Sequence, residues 1–291
     1  MPTSLEFDPM SAAAKPVPAP NSRVRALVFP REHGAWGMLL VPLITGAAAG
    51  LDGSGNWTSL ALFTTAALAL FWLRTPLETA LGSSPMRAQS AMETNWLLLA
   101  IGALGSLAMF CVVLLLWHGG NRQLLTLGAV AALALAVQAV VKKLGRAGRM
   151  PAQIIGALGL AATAPAAFYV VTGHLGLRAV GLWFANWLFA GNQIHFVQLR
   201  IHAARAASLS DKFARGQFFL AGQLAMVVAL MLGGRYHLLP WLTVVAFLPV
   251  LVRGLLWFRP GLQPLMVKRL GWSELAHAIA FGLLLIAAFR L

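Results

Sequence analysis

From residue 33 to the end, the chain is a succession of apolar runs broken by short stretches of Gly, Pro or charge. The runs cover about 34–50, 57–73, 95–117, 122–141, 152–171, 178–199, 216–233, 238–258 and 272–290. Each is close to the roughly 20 residues that a helix needs to cross a hydrocarbon core about 30 Å thick. The period-two alternation of a barrel strand is absent, and no unit of 20–50 residues repeats. Breaks such as Asp52-Gly53-Ser54-Gly55-Asn56 and Arg259-Pro260-Gly261 leave room for little more than a turn. The pattern predicts an all-α integral membrane protein with about nine transmembrane helices. Residues 1–29 read differently. Six of the fifteen prolines fall within the first thirty residues, in a setting of Ala, Ser and Lys. Such a composition cannot bury enough apolar surface to fold alone. The expectation is a disordered cytoplasmic tail over 1–29 and a polytopic helical membrane domain over 30–291, with no cleavable signal peptide.

Composition excludes most other classes. Apolar residues make up 59% of the 291 and charged residues 10%, well below the roughly 25% charged of a soluble domain. Soluble enzymes and secreted disulfide scaffolds do not look like this. The single cysteine, Cys111, sits inside an apolar run and reads as a small buried hydrophobe. The net charge of +14 would suggest nucleic acid in a soluble protein. In a membrane protein it reports topology and anionic headgroups. With the N-terminus inside, 18 of the 22 Lys and Arg fall on the cytoplasmic side, and only Arg122, Arg178, Arg235 and Arg290 on the other. That segregation orients the chain with its N-terminus cytoplasmic and, over nine spans, its C-terminus outside.

The longer loops, at about 74–94, 142–151, 200–215 and 259–271, are all on the expected cytoplasmic side, and polar residues of the spans crowd there too. Arg31, Glu32 and His33 open the first span. Arg74 and Glu78 close the second, Asn192, His195 and Arg200 the sixth, and Glu274 and His277 open the ninth. A charge at bilayer centre costs about 2.5–3.5 kcal/mol on insertion scales, so any site is expected as a cavity near the cytoplasmic interface. These ten residues are the ligand-binding candidates. Each has a plainer account: Arg74 and Glu78 are helical neighbours that neutralise each other, and the arginines enforce topology. Asn192 lies too deep for snorkelling and needs a partner in a dry environment. Sequence alone does not bring His33, His195 and His277 together, so no metal or haem is assigned to them and no catalytic residue is named.

The segment Pro30-Arg31-Glu32-His33-Gly34-Ala35-Trp36-Gly37-Met38-Leu39-Leu40-Val41-Pro42 resembles the opening signature of the YwiC-like family of bacterial membrane proteins. Arg74-Thr75-Pro76-Leu77-Glu78, Asn192-Gln193-Ile194-His195-Phe196-Val197 and Lys268-Arg269-Leu270-Gly271-Trp272-Ser273-Glu274 fall where that family has its other recognisable segments. The resemblance implies a bacterial cytoplasmic (inner) membrane location and supplies no reaction. More remotely, the nine-helix architecture with long cytoplasmic loops after spans 2 and 6 resembles the UbiA superfamily of intramembrane prenyltransferases. Those enzymes hold a prenyl diphosphate through Mg²⁺ on Asp-rich motifs at those two helix ends. Here the matching places offer Glu78 and no second carboxylate, so Mg²⁺ ionisation by that route is not expected and no cofactor is predicted. Arg74 and Arg200 stand there instead, and guanidinium holds phosphate oxygens directly.

The reading that follows is a multi-pass inner-membrane protein that binds or modifies an isoprenoid or other anionic lipid in a cytoplasmic-side cavity, with no nucleic-acid partner. The alternatives are a small-solute transporter, for which Asn186, Pro165 and Pro42 are the hints, and a structural subunit of a membrane complex.

Overall fold

The computed structural model describes residues 20–30, 33–51, 55–82, 84, 86–119, 122–145, 147–262 and 264–291. Arg31, Glu32 and the first 19 residues lie outside that set, and for His33 only the helical backbone is described. The described chain is helical throughout: α1 (Pro20–Val28), α2 (His33–Gly50), α3 (Trp57–Ala80), α4 (Ala91–Gly119), α5 (Gln123–Lys142), α6 (Arg149–Ala161), α7 (Thr163–Thr172), α8 (Leu177–His202), α9 (Leu209–Arg235), α10 (Thr243–Leu256) and α11 (Val267–Arg290). Among the described residues, six segments are long and apolar enough to cross a membrane: 57–80, 91–117, 123–142, 149–172, 209–235 and 267–290. The helices coincide with the apolar runs of the sequence, but three fall short of that standard for physical reasons. The apolar stretches of α2 and α10 are brief. α8 is long enough, but Asn186, Asn192, Gln193, His195, Gln198 and Arg200 dilute its hydropathy.

The chain divides into two compact units. The first comprises residues 1–31 and 70–105. In it, α1 forms within the stretch whose composition reads as a tail. Arg23 Nε donates to Glu93 Oε1 at 2.9 Å, Trp72 Nε1 donates to the Val28 carbonyl at 2.9 Å, and the Phe29 ring lies 4.5 Å from that of Trp72. The helix holds one proline, Pro20 at its first position, where proline is tolerated, and an ion pair and an aromatic contact fix the rest.

The second unit comprises residues 32–69 and 106–291. The run 149–172 is one column broken at Ala162, between α6 and α7. Pro165 explains the break, because its ring opposes the carbonyl four residues earlier, that of Ala161. Helix α2 packs closely on α7 through Gly46, where an added Cβ would lie 2.1 Å from the Ala164 carbonyl oxygen. Small residues at such a crossing permit backbones to approach, which is how apolar helices gain contact energy in lipid. Asn186, buried in α8, donates to Thr45 Oγ1 at 3.0 Å and to the Leu182 carbonyl at 2.9 Å. This is an interhelical tie between α8 and α2. Trp183 and Trp187, one turn apart on α8, donate to the carbonyls of Leu158 and Ile154 on α6 at 2.9 and 3.1 Å. The core is completed by Phe189, Phe247 and Phe281 from α8, α10 and α11, with the Phe189 and Phe281 rings stacked at 3.9 Å. These contacts hold α8, α10 and α11 together and so position the site.

Candidate functional site

The C-terminal ends of α8 and α10 and the N-terminal end of α11 meet at one end of the second unit. Arg253, one turn before the end of α10, is the hub. Its Nη1 makes an ion pair with Glu274 Oε2 on α11, and its Nη2 donates to Asn192 Oδ1 on α8 at 3.1 Å. The guanidinium carbon lies 4.0 Å from the centre of the Phe196 ring, a cation–π contact. Both side chains of the ion pair are mostly buried, 9% and 13% exposed. Gln193 adds a further tie, its Nε2 donating to the Glu274 backbone carbonyl at 2.9 Å. Arg253 Nε and Glu274 Oε1 remain buried without a hydrogen-bond partner among the described residues.

Arg253 also lines a groove of about 980 Å³ beside α8, α10 and α11. Val245, Leu248, Pro249, Val252 and Leu256 form its α10 wall, spaced to share one helical face. On α11, Arg269, Ser273, His277 and Leu284 line it, a span of about 22 Å at 1.5 Å per residue. Cationic groups gather at one end, namely Arg200, Arg253 and Arg269, while the remaining wall is almost wholly apolar. Much of that wall faces outward: Leu248 and Val252 are 47% and 50% exposed. The shape is amphiphilic, with a charged head and an apolar trough.

The sequence candidates divide accordingly. Asn192 and Glu274 are brought together through Arg253, and Arg200 and His277 line the same groove. His277 Nδ1 lies 2.7 Å from the Ser273 carbonyl. His195 turns toward α9 instead, edge-on to Phe219 at 5.3 Å and against Gly222. Arg74 and Glu78 belong to the first unit, where they pair at 2.9 Å as helical neighbours. Arg31, Glu32 and the His33 side chain lie outside the described residues. No cluster of three His, Cys, Asp or Glu suited to a metal occurs among the described residues.

Two residues at the centre of the geometry, Arg253 and Arg269, are not among the ten candidates of the sequence. Both fall among the 18 basic residues expected on the cytoplasmic side. The signal for Arg253 was its position inside the apolar run Val250-Leu251-Val252-Arg253-Gly254-Leu255-Leu256, since a charge within such a run requires a partner. Glu274 occupies the equivalent place in the last run.

Comparison with known protein families adds one finding. Residues 29–168 match the model of the YwiC-like protein family. No curated protein and no solved structure matches the chain. The YwiC-like stretch covers α2 to α6, most of α7, and the candidates Arg31, Glu32, His33, Arg74 and Glu78. It ends before α8, so the groove and its arginines lie beyond it.

Proposed function

We propose that this is a YwiC-like protein of the bacterial cytoplasmic membrane, multi-pass, with its N-terminus inside, that binds an isoprenoid or other anionic lipid. The headgroup sits at the Arg200–Arg253–Arg269 end of the groove, which the charge distribution orients toward the cytoplasm. The chain lies in the apolar trough along α10 and α11. One observation carries this reading: an exposed apolar groove of about 980 Å³ that ends in three arginines, one of them paired with Glu274. Guanidinium groups gathered at one end of an apolar groove favour an anionic guest. A water-soluble solute would leave the trough unfilled.

A UbiA-like bundle of nine helices remains part of the proposal. Within it, guanidinium groups of this chain take the place that paired carboxylates and Mg²⁺ occupy in the prenyltransferases. The role proposed is binding, with modification of the lipid left as its extension. The test is mass spectrometry of lipid retained by gently solubilised protein. An anionic single-chain lipid present in near-stoichiometric amount, and lost in Arg253→Met, is the expected result. Protein that carries only bulk bilayer lipid, unchanged by the substitution, returns the transporter and structural readings to first place.

A further inference from the structure

The groove has an order along its length. On α11 its lining residues are Arg269, Ser273, His277 and Leu284, at spacings that keep to one helical face. Taken from the cationic end, these are a guanidinium, a hydroxyl, an imidazole and a hydrocarbon. Arg253 ion-pairs with Glu274, so its guanidinium stands at the level of that turn. His277 follows three residues later, about 4.5 Å further along the helix at 1.5 Å per residue. Past His277 the walls are apolar, formed by Val245, Leu248, Pro249 and Leu284. Polar chemistry therefore continues one turn beyond Arg253, where the hydrocarbon of a simple alkyl phosphate would already have begun.

The imidazole is held in one tautomer. Its Nδ1 lies 2.7 Å from the Ser273 carbonyl oxygen. A carbonyl oxygen only accepts, so Nδ1 carries the proton and donates. In the neutral ring Nε2 is then an acceptor, and it is the polar atom that His277 has left for the groove. Helix α10 adds a second acceptor nearby. Pro249 has no N–H to give the Val245 carbonyl, and both residues line the groove. Acceptors in an apolar wall are costly unless a donor reaches them. A phosphate brings further acceptors, and a plain hydrocarbon chain brings nothing.

From this arrangement we infer that the ligand of the groove carries a free hydroxyl between its phosphate and its chain, and that His277 recognises it. The inference rests on the reading of the groove as an anionic-lipid site and narrows it. The class that fits is a monoacylglycerol phosphate. Its phosphate meets Arg200, Arg253 and Arg269, its glycerol hydroxyl donates to His277 Nε2, and its single acyl chain fills the trough. That hydroxyl is only a few bonds from phosphorus, in keeping with the one-turn step from Arg253 to His277. An isoprenoid phosphate passes directly from phosphate to hydrocarbon and has no donor to offer at this level. His277 is thus a specificity residue, since a site that hydrogen-bonds a hydroxyl discriminates against the analogue lacking it.

The experiment is competition for tritiated oleoyl lysophosphatidic acid bound to the full chain, in one non-ionic detergent at pH 8, where an imidazole is neutral. The competitors are the same lipid unlabelled and oleoyl propanediol phosphate, which differs only in lacking the hydroxyl. The hydroxyl lipid should displace the label about fivefold better, the effect of one net hydrogen bond. His277→Phe should bring that ratio to about one by weakening the hydroxyl lipid, while His277→Gln, which keeps an acceptor, should retain a preference. Because both competitors meet the same micelle in every variant, a change in the ratio reports the protein and not partition. A ratio near one in the parent protein overturns the hydroxyl reading and leaves the groove reading intact, and that comparison needs no variant to fold. A ratio unchanged in His277→Phe overturns it as well, because recognition then lies elsewhere. If His277→Phe weakens both lipids equally, the ring serves the phosphate and the inference fails. Retention of no phosphate lipid at all overturns the groove reading together with it.

Discussion

Arg253 of α10 and Glu274 of α11 form an ion pair, and the same guanidinium reaches Asn192 of α8 at 3.1 Å. Three helices are therefore joined through one side chain. Removing one member of a buried pair strands the other charge, at a cost of about 3–5 kcal/mol. Glu274→Ala and Arg253→Ala should each lower the melting temperature of solubilised protein substantially. The double variant Arg253→Met with Glu274→Leu should recover most of that loss, because an apolar pair of similar volume is often as stable as a buried ion pair. It should nonetheless fail to retain anionic lipid. Recovery of stability together with retained lipid would separate Arg253 from binding.

Helix contact at Gly46 gives a second expectation. An added Cβ there would sit 2.1 Å from the Ala164 carbonyl oxygen, so α2 and α7 must move apart. Gly46→Ala should destabilise by about 1–3 kcal/mol, the usual cost of overpacking. Asn186→Leu should cost less, about 0.6 kcal/mol, as hydrogen bonds between membrane helices average. Thermal unfolding of the two variants in one detergent gives the ordering, and the reverse order would place the stability of this crossing in the polar tie.

What could be read from the sequence followed from what local pattern encodes. Run length and hydropathy located α3, α5, α9 and α11 well because each run is long, apolar and bounded by breaks. The polar run of α8 was visible as a cavity candidate because Asn192 had no reason to be buried alone. Arg253 escaped notice because a basic residue near a helix end is also what topology bias produces. Lys212, one of the 18 basic residues expected on the cytoplasmic side, is fully buried; its acceptors are carbonyls 47 and 49 residues away, and no periodicity encodes such a contact. Pairing across α8, α10 and α11 is a tertiary fact. The two tryptophans of α8 likewise serve α6 carbonyls, whereas Trp57, Trp117, Trp241 and Trp272 are exposed near helix ends, as an aromatic belt requires.

The asymmetry of basic residues makes topology testable without a ligand. Fusion of a reporter after Leu291 should behave as periplasmic, and fusion at residue 146 as cytoplasmic, because the expected nine-span arrangement puts 18 of the 22 Lys and Arg on one side. The segments α2, α8 and α10, which fall short as candidate spans, decide the count. Reporters on the same side of the membrane would mean that one of α8 and α10 does not cross, while failure of α2 alone would exchange the two sides.

Metal independence is the remaining expectation, and it separates this chain from the metal-dependent prenyltransferases. Enzymes that use paired carboxylates lose their diphosphate when Mg²⁺ is chelated, because the ion supplies the counter-charge. In the proposed site the groove is lined instead by Arg200, Arg253 and Arg269, and guanidinium is permanently charged. Stabilisation by geranylgeranyl diphosphate should therefore persist in EDTA. Arg200→Ala should weaken it by about 1.5–3 kcal/mol, the worth of a hydrogen bond to a charged group. Arg74→Ala should have a small effect on stability, since its pair with Glu78 is only half-buried and helical i,i+4 pairs contribute about 0.3–0.5 kcal/mol. The measurement is ligand-induced thermal stabilisation with and without chelator, run in parallel on the two arginine variants and on Glu78→Gln. Stabilisation that disappears in EDTA, or that depends on Glu78 more than on Arg200, would move the headgroup to a metal site and away from the arginines of α8, α10 and α11.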